Sequence, residues 1–283
     1  DDVESGSLRF SPDSRRVAYV TRAGGKQFVV VDGAQGRAYD RVEEGSLSFS
    51  PDGQRVAYIA QVENKKTVVV DGSEEKQYDS FGESGLCFSP DSRRLAYVLD
   101  VLGSWFVVVD GQGQKPYDGI GAGSLVFSPD SQRLAYAALL GGRMTVVIDG
   151  QERQFYDAIG ESSIAFSPDS RRVAYVELSY SRRLLRLRVK ETARVVIDDT
   201  HERDYDAIVS LPIFSPDSKR AAYAVQQGGQ QFVVVDGRES HRYSQVIGPE
   251  TYRRIIFDSP HSLHYLALKE GGVVCLVEEK LAI

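Results

Sequence analysis

The chain has only two cysteines in 283 residues, Cys87 and Cys275. They stand far apart, with no CxxC spacing and no histidine at ligand spacing, which excludes a zinc site or a disulfide framework and leaves them as small buried apolar residues. No apolar run approaches the roughly 18 residues of a membrane-spanning helix. Basic residues are outnumbered, 34 Lys and Arg against 40 Asp and Glu, and the net charge of −6 argues against a general binder of nucleic acid. The first residues, Asp-Asp-Val, carry neither the charged nor the apolar region of a signal peptide, and read as a start behind a processing point or a cut. Calcium-loop, GxSxG, HExxH and P-loop patterns are absent. The four histidines, His201, His241, His261 and His264, come late and pair with no Ser or Cys nucleophile by sequence, so they read as solvated loop residues. No catalytic residue, metal or cofactor is expected.

What the chain does have is repetition. FSPDSRRVAYV occurs twice, from Phe10 and from Phe166, and related blocks begin at Phe49, Phe88, Phe127 and Phe214, with a degenerate copy, FDSPHSLHYLAL, at Phe257. The spacings are 39, 39, 39, 39, 48 and 43 residues. A fixed period in this range marks a solenoid or a propeller. Each unit holds four short strand-like segments parted by Gly, Pro, Asp and Ser turn chemistry, as in SLSFS, RVAYIA, TVVVDG and KQYDSF. The third segments are continuous apolar runs, which suits strands covered on both faces. In the second segments an Ala-Tyr pair alternates small and large across the pleat, which suits close sheet-on-sheet packing.

The reading is all-β: a single domain over 1–283, a seven-bladed propeller of four-stranded antiparallel blades, with repeats starting near 7, 46, 85, 124, 163, 211 and 254. Aligning Ser7 with Ser46 places Asp1 on Asp40, at the end of an outermost strand, so the two termini are expected to share blade seven and close the ring. The fourth strand of that blade is then missing or improvised from Leu281 to Ile283.

The period resembles that of WD40-type propellers, yet the WD and GH dipeptides are absent. FSPDSxRxAY followed by a VVVDG strand is similar to the WD40-like repeat of TolB-type bacterial propellers, and the likeness covers nearly the whole chain. That resemblance implies a propeller, a bacterial source, a periplasmic or envelope setting, and a binding role. It leaves the ligand open, because one fold hosts many chemistries.

Six copies keep Ser-Pro-Asp and an Arg three residues after the Asp: Asp13/Arg16, Asp52/Arg55, Asp91/Arg94, Asp130/Arg133, Asp169/Arg172 and Asp217/Arg220. A turn explains them. Pro presets φ, Asp accepts nearby backbone N–H groups, and the Arg reaches a carboxylate of this turn or of the VVVDG turn.

Function is expected where the copies disagree, in loops held by a rigid frame. The fifth unit carries a ten-residue insertion between its second and third strands, within Glu177 to Ala193, in which Arg182, Arg183, Arg186, Arg188 and Lys190 interleave with leucine and valine. Period two there predicts a β-hairpin arm that folds onto its own propeller, binds a partner or makes a dimer contact. A four-residue extension between units six and seven brings Tyr252, Arg253 and Arg254 to the same face. Glu44, Glu83 and Glu161, with Glu4 and Glu43, mark the turns leading into the inner strands at the channel mouth. They are either solvated or grip a cation or a basic peptide. Trp105 stands where other units have Gln27, Lys66, Met144 and Gln231, a partly exposed position from which an indole stacks on a sugar, clamps a peptide or packs over a loop.

The first reading is therefore a non-catalytic scaffold that recognises a protein or peptide on the face bearing the arm. A hydrolase or lyase with channel-mouth carboxylates, and the propeller fragment of a larger enzyme, are the alternatives. The sequence leaves oligomeric state open.

Overall fold

The computed structural model describes residues 2–78, 80–182, 189–248 and 255–282, with the side chains of 82–84, 181, 182, 189 and 190 set aside. Among the described residues there is no helix; seven antiparallel sheets follow one another in chain order. The second is typical. Its inner strand is broken into Arg41–Val42 and Ser48–Phe49, and Val56–Val62, Lys65–Val70 and Ser73–Tyr78 follow outward as a meander. These are the blades of a β-propeller.

The chain divides into two compact units, Asp1–Gly142 and Arg143–Ile283. Within the first, sheets one and two pack face to face: Ala18, Val20 and Val29 meet Val42, Leu47, Phe49 and Tyr58 in one buried cluster. Within the second, sheets five and six do the same through Val176, Val195, Phe214, Tyr223 and Phe232. In the second sheet the small Ala57 points to sheet three and the large Tyr58 to sheet one, so both faces of this strand are filled at close spacing.

The repeated motif forms turns, as its chemistry requires. Asp13 Oδ1 accepts the Ser11 hydroxyl at 2.5 Å and the Arg15 N–H at 3.2 Å, and the next residue, Ser14, takes a left-handed φ of 57°. At the second copy that position is Gly53, φ 71°.

Of the two carboxylates expected within reach of the motif arginine, it is the one on the Asp-Gly or Asp-Asp turn that it meets, so the two residues of one motif serve different turns. Each of five arginines joins the aspartate of the Asp-Gly or Asp-Asp turn on its own sheet. Arg16 meets Asp32 at 2.8 Å, Arg55 meets Asp71 and Arg94 meets Asp110 at 3.0 Å, Arg172 meets Asp198 at 2.7 Å, and Arg220 meets Asp236 at 3.1 Å. Strand register is the reason. The residue after the arginine donates its N–H to that same carboxylate, Val17 to Asp32 at 2.9 Å and Leu95 to Asp110 and Val173 to Asp198 at 3.0 Å. In the fourth copy Asp130 and Arg133 are linked through Ser128: the Arg133 N–H donates to Ser128 Oγ at 2.9 Å, and that hydroxyl donates to Asp130 Oδ1 at 2.6 Å.

The arginine also crosses to the following sheet. Arg55 Nη1 donates to the carbonyls of Ser92 and Arg93 at 3.2 and 3.0 Å and lies over the Phe88 ring at 5.5 Å. Arg94 does the same to Ser131 and Gln132 over Phe127, and Arg172 to Ser218 and Lys219 over Phe214. From the same turn Asp52 N donates to Ser92 Oγ at 3.0 Å. The motif is an inter-sheet clasp, a role its sequence reading as a turn did not contain.

A second clasp works at the opposite ends of the strands. At four sheets an Asp at the end of the outer strand reaches the hairpin of the next sheet, as where Asp40 Oδ2 accepts Glu63 N at 2.6 Å and Asp206 Oδ2 accepts Gly228 N at 2.8 Å.

The sharing of the seventh sheet by both termini is not seen among the described residues, and of the two alternatives for that sheet's fourth strand it is the missing one that holds. Asp2–Val3 pairs with Thr21 and Arg22 of the first sheet, as Arg41–Val42 pairs within the second, so the described N-terminal residues supply no strand to the seventh sheet. The reason lies in the alignment itself: Val3 falls on Val42, an inner-strand position, and only Asp1, outside the described residues, reaches back into an outer-strand segment. The seventh sheet consists of Gln245–Ile247, Ile255–Ser259, Ser262–Leu268 and Val274–Lys280. Leu281 and Ala282 form no fourth strand in it. Leu281 N donates to His261 O at 2.8 Å, and Arg220 donates to Ala282 O, so the tail stands in for the turn that the degenerate copy lacks.

Candidate functional site

The fifth sheet departs most from its neighbours. Its central hairpin, Val173–Arg182 with Val189–Ile197, stays paired from Ala174↔Ile197 to Arg182↔Val189, whereas the corresponding pair in the sixth sheet ends at Gln227↔Gln230. The last positions with a neighbour on the outer sides are Leu178, opposite Ala158, and Ala193, bridged to Tyr205. Beyond them Ser179–Arg182 and Val189–Thr192 run on as a two-stranded ribbon, with no third strand on either edge among the described residues. Asp157 Oδ2 holds the ribbon by accepting Tyr180 N at 2.9 Å. The tip, with Arg183, Arg186 and Arg188, lies outside the described residues, as do the side chains of Arg182 and Lys190 and all of Tyr252, Arg253 and Arg254.

At the root of the ribbon is a feature the sequence reading missed. Glu177 is 3% exposed, and Arg194 grips it at two points, 2.5 and 3.0 Å. Ser179 Oγ donates to the same carboxylate at 2.9 Å. Burial pushes the Glu177 carboxyl upward, but the Arg194 and Ser179 hydrogen bonds and the guanidinium charge outweigh it and hold it below its ordinary value. His201 Nε2 lies 3.7 Å from Glu177 and 3.2 Å from the Tyr156 hydroxyl, which meets Tyr175 Oη at 3.1 Å. His201 is thus half-buried in a strand, and His264 pairs with Asp258 at 2.7 Å; neither is the loop histidine expected. The signal was in the repeat: Glu177 falls where other copies have Thr21, Ala60, Leu99, Ala138 and Val225, and Arg194 where they have Phe28, Thr67, Phe106, Thr145 and Phe232.

Beside this root a cleft of about 240 Å³ opens between the ribbon and the first strand of sheet six. Leu178, Ala193, Ala207 and Ile208 give it an apolar floor, and the exposed Glu191 and Asp206 give it an acidic rim.

A larger cleft, about 440 Å³, lies in the first unit between the turns leading into sheets one and two. It gathers Glu4, Glu43 and Glu44 with Arg22, Gln27 and Arg41. Glu4 accepts Arg22 at 2.8 Å and Gln27 at 2.9 Å, and the Arg22 hydrogen bond leads in holding its carboxyl below the ordinary value. Glu43 pairs with Lys66 at 2.7 Å, and Glu44 is exposed on the rim. Glu161 is exposed at the corresponding turn of the fifth sheet, and the Glu83 side chain lies outside the described residues. Gln27, expected to be partly exposed, is buried, because its amide oxygen accepts Val42 N at 2.6 Å and fixes the turn into sheet two. Gln231 does the same for Val246 N at 2.9 Å. Trp105 is half-buried, its backbone bonded both ways to Tyr117 at 2.9 Å. Both cysteines are free and half-buried, less enclosed than expected. Among the described residues no group of three or more His, Cys, Asp or Glu is placed to hold a metal.

No family model matches the chain, and no curated protein matches it. Solved structures similar to it include TolB from Acinetobacter baumannii, at 15% identity over 80% of this chain and TM-score 0.36; the chain spans 62% of that protein. The β-propeller domain of the Trilobed protease from Pyrococcus furiosus is 14% identical over 100% of this chain and 99% of that one, TM-score 0.43. A putative TolB from Agrobacterium tumefaciens is 17% identical over 83% and 90%, TM-score 0.37. The assignment to the propeller class rests on the strand order and sheet packing given above.

Proposed function

We propose that this chain is a non-catalytic scaffold that recognises a protein or peptide in extended form through the fifth-sheet ribbon. The carrying observation is the ribbon itself, two strands with no further strand paired to either edge beyond Leu178 and Ala193 among the described residues. An isolated two-stranded ribbon is marginal in water, and an open edge is a template for a further strand. A peptide that adds to the Val189–Thr192 edge gains main-chain hydrogen bonds, and the cleft at the root receives one of its side chains. The apolar floor suits the stem of a Lys or Arg, and Glu191 and Asp206 suit its charged end. The carboxylates of the first-unit cleft support catalysis less well. Glu4 and Glu43 already have cations, whereas a general acid needs a carboxyl raised toward neutral pH.

The test replaces Arg182–Lys190 by a Gly-Gly turn like that at Gly228-Gly229 and compares the partners captured from the source cell by both forms. The melting curve serves as the folding control. Loss of a partner from the shortened form supports the reading, and identical partner sets overturn it.

A further inference from the structure

The cleft at the root of the ribbon exists because one side chain is short. Ala193 stands where the other copies have Gln27, Lys66, Trp105, Met144 and Gln231, all of them large. Two of those side chains show what the place does in an ordinary repeat. Gln27 Oε1 accepts Val42 N at 2.6 Å and Gln231 Oε1 accepts Val246 N at 2.9 Å, each reaching across to the first strand of the following sheet. Ile208 is the residue of sheet six that corresponds to Val42 and Val246, and the methyl group of Ala193 can neither bond its N–H nor fill the space beside it. The cleft of about 240 Å³ over Ile208 is the result, with Leu178 in its floor where other copies have Arg22, Gln61, Asp100 and Gln226.

The groups around that space are of one chemical kind. Glu191 stands on the ribbon side and Asp206 on the sheet-six side; both are exposed, and neither meets a cation among the described residues. Asp206 is fixed through one oxygen, Oδ2, which accepts Gly228 N at 2.8 Å. Tyr180 lies two residues beyond Leu178 on the same face of the ribbon, directly opposite Glu191 in the register, and is 43% exposed. Direct cross-strand neighbours on one face have their Cβ atoms about 5 Å apart, so the ring stands next to the Glu191 carboxylate at the edge of the apolar floor.

We infer that this cleft takes the guanidinium of an arginine, carried on the extended peptide that adds to the ribbon edge; the inference rests on that reading of the ribbon and names the side chain it selects. An arginine stem covers Leu178 and Ala193. Its planar head has donors on several sides, so it serves carboxylates on two walls at once, and its face stacks on the Tyr180 ring. A lysine ammonium is a compact, strongly hydrated charge with no face to stack, and it leaves one of the two carboxylates without a partner. A citrulline has the shape of an arginine and no charge, so it leaves both.

Calorimetric titration of the full chain with blocked peptides of the form acetyl-Thr-Val-Xaa-Val-Thr-amide tests this, with arginine, lysine or citrulline at the centre. The arginine peptide binds, the lysine peptide binds about tenfold more weakly, and the citrulline peptide does not bind. Arginine amide has the head group and no strand to add, and binds more weakly than the arginine peptide. Ala193→Gln restores the side chain of the repeat and fills the cleft, so it abolishes binding of the arginine peptide without lowering the melting temperature; Ala193→Met, with the residue of the fourth copy, does the same. Tyr180→Leu keeps the floor and removes the ring, and narrows the gap between the arginine and lysine peptides. An arginine peptide that does not bind, arginine and lysine peptides that bind equally well to the wild type, arginine amide that binds as tightly as the peptide, or binding that survives both substitutions at Ala193 overturns the inference. Such a result leaves the ribbon reading standing when the shortened chain still loses a partner from the cell. An arginine peptide that binds while the two partner sets are identical overturns the ribbon reading and keeps the pocket.

Discussion

Arg194 grips Glu177 at two points inside the fifth sheet, in a register where the sixth sheet pairs Val225 with Phe232. An ion pair has replaced an apolar pair at the root of the ribbon. Removing one partner strands a buried charge, which costs about 3–5 kcal/mol, while replacing both by apolar groups of fitting shape is often neutral or stabilising by about 1–4 kcal/mol. Glu177→Val and Arg194→Phe are therefore each expected to destabilise the chain strongly in urea unfolding, and the double variant to recover most or all of the loss. A double variant as unstable as the worse single one would show that the pair contributes more than it costs.

Acid should act through the same carboxylates. Glu177 is held below its ordinary value because Arg194 and Ser179 outweigh burial, and Asp13, Asp52, Asp91, Asp169 and Asp217 are held below theirs chiefly by the hydroxyl two residues earlier. Carboxyls lowered by folding lend stability above their unfolded values, which lie near 4, and that stability is lost as pH falls through the folded values. The midpoint of thermal unfolding is expected to hold nearly level from pH 7 to 5 and to fall steeply below about pH 4. Replacing Ser50, Ser89 and Ser167 by Ala removes the leading hydrogen bond at three turns and returns those carboxyls toward their unfolded values, so it should lower the midpoint at pH 7 and make the fall below about pH 4 shallower.

Much of this was legible in the sequence, and the illegible part has a common cause. The period, the four strands of each repeat and the turn roles of Ser-Pro-Asp and Asp-Gly are local, fixed by residues a few positions apart. Arg55 on the carbonyls of Ser92 and Arg93, 37 and 38 residues away, is not local. The repeat hid it, because each arginine looks sufficiently explained by an aspartate of its own sheet. Gln27 was misjudged for a related reason: a polar residue at a repeated position suggests exposure unless the backbone N–H it satisfies is known. Glu177 and Arg194 were visible as departures from the repeat, but Glu177 reads as the first residue of a charged insertion, and only the strand register turns it inward.

The clasp arginines should matter more than surface ion pairs do. Arg55 bonds Asp71 and two carbonyls of the next sheet and covers Phe88, with its side chain about one-third exposed. Hydrogen bonds to a charged group contribute about 1.5–3 kcal/mol. Arg55→Met is expected to lose about that much in urea unfolding, and Arg55→Lys nearly as much, because an ammonium cannot reach the aspartate and the carbonyls together. Lys26→Met, which breaks the exposed pair with Asp40, should cost no more than about 1 kcal/mol. Equal losses from Arg55→Met and Lys26→Met would reduce the clasp to an ordinary surface pair.

The same clasp ends on the tail. Arg220 bonds Asp236 as its counterparts bond theirs, but its second acceptor is Ala282 O in place of a Ser-Pro-Asp turn. Leu281, which packs against the cluster of sheets six and seven, positions that carbonyl through its own N–H on His261 O. Ending the chain at Lys280 is therefore expected to destabilise the second unit, and a double-mutant cycle separates the two contributions. Arg220→Met should cost less in the shortened chain than in the full one, with a coupling of about 0.5–3 kcal/mol. Leu281→Ala, which trims the side chain and keeps the carbonyls, should leave most of that coupling in place. If Arg220→Met costs the same in both backgrounds, the tail contributes through Leu281 packing alone and does not substitute for the missing turn.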